Sequence, residues 1–368
     1  MHGKATIFST RSMVKLLFAT LLAIGIILGI IYFQCHPGLM QRKTSDQPLR
    51  IARYYWPGMY WVEIAQKKGW FKEAALQVEI VDTNPDYYAS LHDVAAGKID
   101  TQDFYLYDFV RFNLQGVNLV MVVNTDISSG SEAIVARKEI ENIRDLKGKT
   151  LAVPRGTNLE YMLATALERS GLTLDDVLVK DIMTEKAAEE FAEGRLDAIM
   201  AWEPYATRAM TAGNGHKLFD SSEIYGLSRS GFTFTRKFVE TRPNDVQTFV
   251  DVWHKTTLFI REKPEESFRI ISENNRVTIE DVKRFAQIDS ILSFEDNRIA
   301  FTPSRGFESL YGTARKISRH LIEQGMVAKE VDTANLFDAR FLHAIEPRGP
   351  FCFLSGIQLH NLRFWEDR

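Results

Sequence analysis

Residues 132–210 read EAIVARKEIENIRDLKGKTLAVPRGTNLEYMLATALERSGLTLDDVLVKDIMTEKAAEEFAEGRLDAIMAWEPYATRAM. Short apolar runs alternate here with longer stretches of helical spacing, and a glycine marks most of the changes. Residues 133–137 and 150–153 are strand-like, and PRGTN at 154–158 opens a helix that runs to Ser170 and stops at Gly171. A strand follows at 177–181, then a helix at 185–192 broken by Gly194, then a strand at 197–201. Trp202-Glu203-Pro204-Tyr205 starts the next helix, with proline in its first turn, where a missing N–H costs nothing. This alternation predicts an α/β fold with a mostly parallel sheet and helices on both faces.

The same rhythm extends upstream. Strands are expected at 49–54, 76–81, 99–104 and 119–124, with helices at 60–68, at 86–96 and in a segment ending at Leu114. Because the rhythm restarts after Lys147-Gly148, the chain reads as two α/β lobes in series. From about residue 244 it turns helical, through 246–262, 264–273, 278–288 and 306–324, and no period repeats as it would in a solenoid.

Composition narrows the class. With 368 residues, 45% hydrophobic and 25% charged, the proportions are globular and exclude a disordered, collagen-like or polytopic membrane chain. A net charge of −3 gives no reason to expect nucleic acid as a partner. Two cysteines, Cys35 and Cys352, are too few for a disulfide framework or a four-cysteine zinc site. The 8 histidines show no HExxH spacing, and there is no G-x-S-x-G elbow, P-loop or GxGxxG after a strand. The chain is therefore expected to be no enzyme and to carry no cofactor or metal.

The N-terminus is asymmetric. Residues 1–15 hold Lys4, Arg11 and Lys15 and no acid, and residues 16–33, LLFATLLAIGIILGIIYF, carry no charge. At 1.5 Å per residue this run is about 27 Å long, enough to cross a hydrocarbon core with its flanks. The large residues Tyr32, Phe33 and Gln34 before Cys35 disfavour signal cleavage and lipidation alike. The expectation is a cytoplasmic 1–15, a single transmembrane signal-anchor at 16–34 in the inner membrane and a tether at 35–48, with the bulk of the chain periplasmic. The tail, 347–368, is apolar for a terminus, with Phe351, Phe353, Leu354, Phe364 and Trp365.

Four pieces of the stretch quoted above carry a family resemblance: the AIVA strand, the DLKGK turn with its TLAVPRGTN continuation, the A-x-x-x-F-x-x-G-R-L-D-A element and the WEPY corner. Upstream, KKGWFKEAALQVEI and Ala96-Gly97-Lys98-Ile99-Asp100 fit the same pattern. Over about residues 49–345 the chain resembles the extracytoplasmic solute-binding proteins of ABC importers for nitrate, aliphatic sulfonates, taurine and thiamine-pyrimidine precursors. The resemblance implies a two-lobed type II periplasmic-binding-protein fold with two crossover strands, near 133–138 and 231–237, and a ligand between the lobes. Lobe 1 would comprise 49–135 and 238–346, and lobe 2 would comprise 136–237. The implied partners are a small-molecule ligand and an ABC permease; a membrane-tethered sensor signalling to a membrane protein is the alternative.

Ligands of open α/β sheets sit past the carboxyl ends of strands, where the strand order switches. That rule selects Trp56, Pro57 and Gly58 after the first strand, Phe104 and Tyr105 after the third, Ser128 and Ser129 before the first crossing, and two sets from the second lobe. One set is Arg155, Thr157 and Asn158 at a helix start, either an anion site or ordinary capping. The other is Trp202, Glu203 and Tyr205, where Glu203 either favours an amine or an amidine-like ring or caps its own helix. An anion-favouring helix start and an amine-favouring carboxylate pull in opposite directions. A zwitterion or ring could use both, so a small organic solute (a sulfonate, a taurine-like zwitterion or a pyrimidine-type ring) is expected ahead of an inorganic anion.

Overall fold

Leu49–Arg53 (β1) buries Leu49, Ile51 and Ala52 completely and starts the larger of two sheets. The protein is represented by a computed structural model that describes residues 43–83 and 86–345. β1 pairs in parallel with Val78–Asp82 (β2) and Thr101–Tyr105 (β3). Leu119–Ser128 (β4) is buried along its whole length, which explains the near-continuous apolar run at its start. Five strands, Glu132–Ala136 (β5), Thr150–Ala152 (β6), Leu178–Lys180 (β7), Ala198–Trp202 (β8) and His216–Asp220 (β9), make a second sheet in the order β7-β6-β8-β5-β9. The chain then returns as Arg229–Thr235 (β10), which lies antiparallel between β3 and β4. Asp289–Ile291 (β11) pairs antiparallel with the end of β4, giving the first sheet the order β11-β4-β10-β3-β1-β2.

Both sheets are mixed, rather than mostly parallel. In the second sheet β5 runs against β8 and β9, and in the first β10 runs against both of its neighbours. The helix-between-strands rhythm does not report this, because β5 and β10 reach their sheets from the other sheet and not through a covering helix. The chain leaves the first sheet at 129–131 and comes back through 221–228. Residues 132–135 thus belong to the second sheet and 229–235 to the first, where the resemblance had put the crossings slightly later and counted the second with lobe 2.

Two strands are absent from the sequence reading. β9 is a half-exposed edge of sequence HKLFD, and β11 is a three-residue strand directly after the Ile279–Ile288 helix. The expected segments 1–15 and 16–34, most of the 35–48 tether and the 347–368 tail lie outside the described residues, with only 43–48 of the tether inside. Among the described residues no helix is long and apolar enough to cross a membrane.

The core of the first sheet centres on Trp61, which meets Phe232 and Phe249 edge-on at 5.2 and 4.9 Å. That of the second gathers Phe191, Ile199, Leu196 and a set of alanines. Helices belonging to the two sheets touch where Tyr107 stacks on Tyr161 at 6.0 Å and Tyr161 meets His320 at 5.3 Å.

Candidate functional site

The carboxyl end of β1 continues into a tight turn, Pro57–Met59, that drives backbone into the sheet ends. Gly58 is required there by close approach: a Cβ would lie 2.4 Å from Asp126 Oδ1 and 2.5 Å from Asp103 Oδ2. Two carboxyl groups thus face one another across the glycine. Asp103 projects from β3 and Asp126 from β4, and both are buried. Thr125 Oγ1 reaches Asp103 Oδ1 at 2.7 Å and Asp126 Oδ1 at 2.8 Å, Ser230 donates to Asp126 Oδ1, and the Trp56 indole donates to Asp126 Oδ2 at 3.3 Å. Asp289, the first residue of β11, is fully buried as a third carboxyl beside them.

Asp103 Oδ2 and both oxygens of Asp289 have no hydrogen-bond donor. Burial pushes the Asp289 carboxyl well above the usual range, and the neighbouring Asp126, Glu132 and Asp103 push it further. Burial and Asp126 do the same to Asp103. Such shifts mean that the neutral acids are favoured. The basic side chain nearest in sequence to Ser230, Arg229, is turned away. It donates to Asn124 Oδ1 at 2.9 Å and to the carbonyls of Gly226 and Phe307, and burial lowers it to about 10.

A second polar nest lies at the two passages between the sheets. Glu132, 1% exposed, accepts from Ser128 Oγ, from Ser131 Oγ at 3.0 Å and from Ser228 Oγ at 3.1 Å, with the Tyr105 hydroxyl at 3.5 Å. Ser128 also meets Ser221 at 2.6 Å, and Asn158 Nδ2 donates to Ser228 Oγ at 2.9 Å. Burial raises the Glu132 carboxyl, against which the serine hydroxyls work. Residues from β4, from β5, from the start of the Asn158–Arg169 helix and from the 221–228 return thus share one hydrogen-bonded network.

In the loop that leads into the 158–169 helix, two backbone donors are taken up within the protein. The Arg155 N–H donates to Asp181 Oδ1 at 2.9 Å, and the Gly156 N–H donates to Glu160 Oε2 at 2.8 Å. Arg155 is half exposed, with its guanidinium 3.6 Å from Glu160. Thr157 donates to Pro154 O at 2.6 Å, leaving only Asn158 directed to the nest. The protein's own carboxylates occupy the positive end of this helix, as ordinary helix electrostatics favours.

The WEPY corner also turns back on itself. The Glu203 carboxylate accepts from Thr207 N at 3.2 Å and Thr207 Oγ1 at 2.9 Å, so it caps the Tyr205–Ala212 helix. Tyr205 packs on the core of the second sheet, and Trp202 stands opposite Glu132 in the β5–β8 register, half-buried. Phe104 is fully buried and meets Phe112 edge-on at 6.0 Å, because strand alternation sends it to the face opposite Asp103 and Tyr105. Ser129 is turned toward β11, with its hydroxyl 2.9 Å from Ser290 Oγ.

Of the expected residues, Trp56, Pro57, Gly58, Tyr105, Ser128 and Asn158 thus come together around the two nests. Trp202 adjoins the second nest through its register with Glu132, while Phe104, Ser129, Arg155, Thr157, Glu203 and Tyr205 do not join them. Asp103, Asp126, Asp289, Glu132, Ser221 and Ser228 were not foreseen. The available signal was an acid inside an apolar strand, in LVMVVNTDIS and in TQDFY, where a buried charge needs a reason.

A separate depression of about 390 Å³ is lined by Arg53, Glu63, Lys67, Asp82 and Asn274. Arg53 is already held there by Glu63 at 3.2 Å, Asp82 at 3.4 Å and Asn275 at 2.5 Å, a closed structural network. Among the described residues no set of three His, Cys, Asp or Glu side chains could hold a metal ion.

Known proteins share this arrangement of sheets. The periplasmic aliphatic sulphonate binding protein SsuA of Escherichia coli superposes with a TM-score of 0.64 at 19% identity, covering 79% of this chain and 92% of that one. The desulfurization enzyme DSZB has the fold too, with a TM-score of 0.58 at 15% identity over 81% of this chain and 99% of that one. In sequence, a Bacillus subtilis relative named for binding aliphatic sulfonates is 28% identical over 57% of this chain and 65% of its own length. The taurine-binding periplasmic protein of Escherichia coli is 30% identical over 32% of this chain and 38% of its own. The matched part thus spans less than two thirds of these curated relatives. The family described as NMT1/THI5 like matches residues 56–267, taking in strands of both sheets, the second polar nest and Asp103 and Asp126 of the first, and the chain belongs to that family.

Proposed function

We propose that the protein is an extracytoplasmic solute-binding receptor that captures a small organic molecule between its two sheets and hands it to an ABC importer. The observation that carries this reading is the network at the passages. Side chains of Ser128 from the first sheet, Glu132 from the second, Asn158 from a helix start and Ser221 and Ser228 from the return passage meet in one buried place, beside Tyr105. Polar groups gathered at strand ends and shared by two sheets suit a site that a ligand completes on closure, hinging at 129–131 and 221–228. The sulfonate- and taurine-binding names among the relatives agree with this class.

The solute carries a ring or an amine. The indole of Trp56, the ring of Tyr105 and the buried carboxyls of Asp103 and Asp126 suit such a group better than a bare anion. Segment 16–34 anchors the receptor in the inner membrane beside its permease.

Mass spectrometry of solute co-purified with the full-length protein, joined to small-angle scattering with and without that solute, tests the reading. A bound organic molecule and a more compact saturated form are expected. Identical dimensions in both states would remove the hinged receptor. Retention in the membrane fraction after alkaline carbonate washing tests the anchor, and protein released freely by the wash would refute it.

A further inference from the structure

Three buried carboxyls stand together, which is an expensive arrangement for a fold to keep. Asp103 and Asp289 are 0% exposed and Asp126 is 2% exposed. Among the described residues no Lys or Arg forms an ion pair with any of the three. Among the described residues no donor reaches Asp103 Oδ2 or either oxygen of Asp289, three acceptors within this one cluster, and the strongest charges acting on Asp289 are Asp126, Glu132 and Asp103. Gly58 keeps its side free of any side chain, and the Trp56 indole edge closes another. The aromatic row Tyr54, Tyr87 and Tyr105 runs from this cluster toward Glu132, with ring centroids 5.3 and 5.9 Å apart.

We propose that Asp103, Asp126 and Asp289 receive the protonated amine of the solute. This rests on the receptor reading above and names the chemical class of its ligand. An organic ammonium supplies up to three N–H donors to the acceptors left without one, and its charge answers the carboxyls. The aromatic rings beside the carboxyls favour the same charge. The groups that face the cluster are the carboxyl of Glu132 and the phenols of Tyr54, Tyr60, Tyr87 and Tyr105, all raised by burial and so neutral hydroxyls near pH 7 in the case of the phenols. Arg229 is held by Asn124 and by carbonyl oxygens. Binding of one ammonium therefore ionises at least one carboxyl of the cluster and releases its proton to solvent.

Calorimetry of the full-length protein with propylamine, 3-aminopropanesulfonate and propanesulfonate, in two buffers of different ionisation enthalpy, tests this. The two amines are expected to bind with release of protons, and propanesulfonate roughly 10-fold or more weakly than its amino counterpart. Asp289→Asn should weaken amine binding by roughly 10-fold or more while keeping or raising the melting temperature, since it removes a buried acid without a partner. Propanesulfonate binding as tightly as 3-aminopropanesulfonate overturns the ammonium site and leaves the receptor standing. Amine binding without proton release overturns the assignment of the amine to these carboxyls. An Asp289→Asn protein that melts lower but binds amines unchanged makes the residue structural and overturns the assignment. Failure of all three probes to bind overturns the ammonium site, and if no solute co-purifies either, the receptor reading falls with it.

Discussion

Gly58→Ala adds one methyl group at the place where the β1 turn meets the sheet ends. Two effects of opposite sign compete. Gly58 is not in the left-handed region, and at such a position alanine ordinarily stabilises a protein by about 0.4–1 kcal/mol through the unfolded chain. Against that, the new Cβ would lie 2.4 Å from Asp126 Oδ1 and 2.5 Å from Asp103 Oδ2, about an ångström inside ordinary contact. Neither oxygen belongs to a long side chain that can swing clear. Asp126 is tied by Thr125, Ser230 and Trp56, and Asp103 by Thr125. Overpacking of this kind costs about 1–3 kcal/mol, so the steric effect wins. For a unit of this size the melting temperature should fall by roughly 2–10 °C. Differential scanning calorimetry of the two proteins measures it, and solute affinity should fall in the same variant because the carboxyls move. An unchanged or raised melting temperature would show that the turn does not press on Asp103 and Asp126, and the description of that nest would be wrong.

Phe104→Ala should cost about 3–5 kcal/mol in chemical unfolding, as expected for an aromatic packed in the core; a variant that lost only solute affinity would return Phe104 to the cleft. Glu203→Gln should cost about 1 kcal/mol or less through its weakened helix cap and leave solute affinity essentially unchanged, and a tenfold loss in calorimetry would contradict the capping role. The pH dependence has a definite sign. Asp103, Asp289 and Glu132 have folded-state values raised above their unfolded ones, chiefly by burial, so the folded state holds more protons just above the ordinary carboxylate range. Stability of the empty protein should therefore fall as pH rises from the ordinary carboxylate range through their raised folded-state values. Asp289→Asn should flatten that slope; urea unfolding across pH decides, and a slope unchanged by the substitution would refute it.

The sequence alone determined the order of most elements, all but β9 and β11 among the strands. Strand and helix periods place β1, β3, β4, β6 and β8 and most helices within a few residues, because each is set by local spacing of apolar residues and by glycine stops. It also determined that Trp56, Gly58, Ser128 and Asn158 would stand near the strand ends, since that follows from where strands stop. Tertiary structure decided the rest. That the Arg155 N–H at the start of RGTN is taken up within the protein depended on Asp181, 26 residues further along the chain, coming back to it. Whether Glu203 would face the solute depended on which rotamer brought it to Thr207. Asp103, Asp126 and Asp289 are 186 residues apart from first to last, and only β10 sliding between β3 and β4, with β11 closing on β4, brings them into one place. Local periodicity fixes what an element is, while the direction and neighbours of β5, β10 and β11 are set by long-range pairing, and the buried acids became a site only through that pairing.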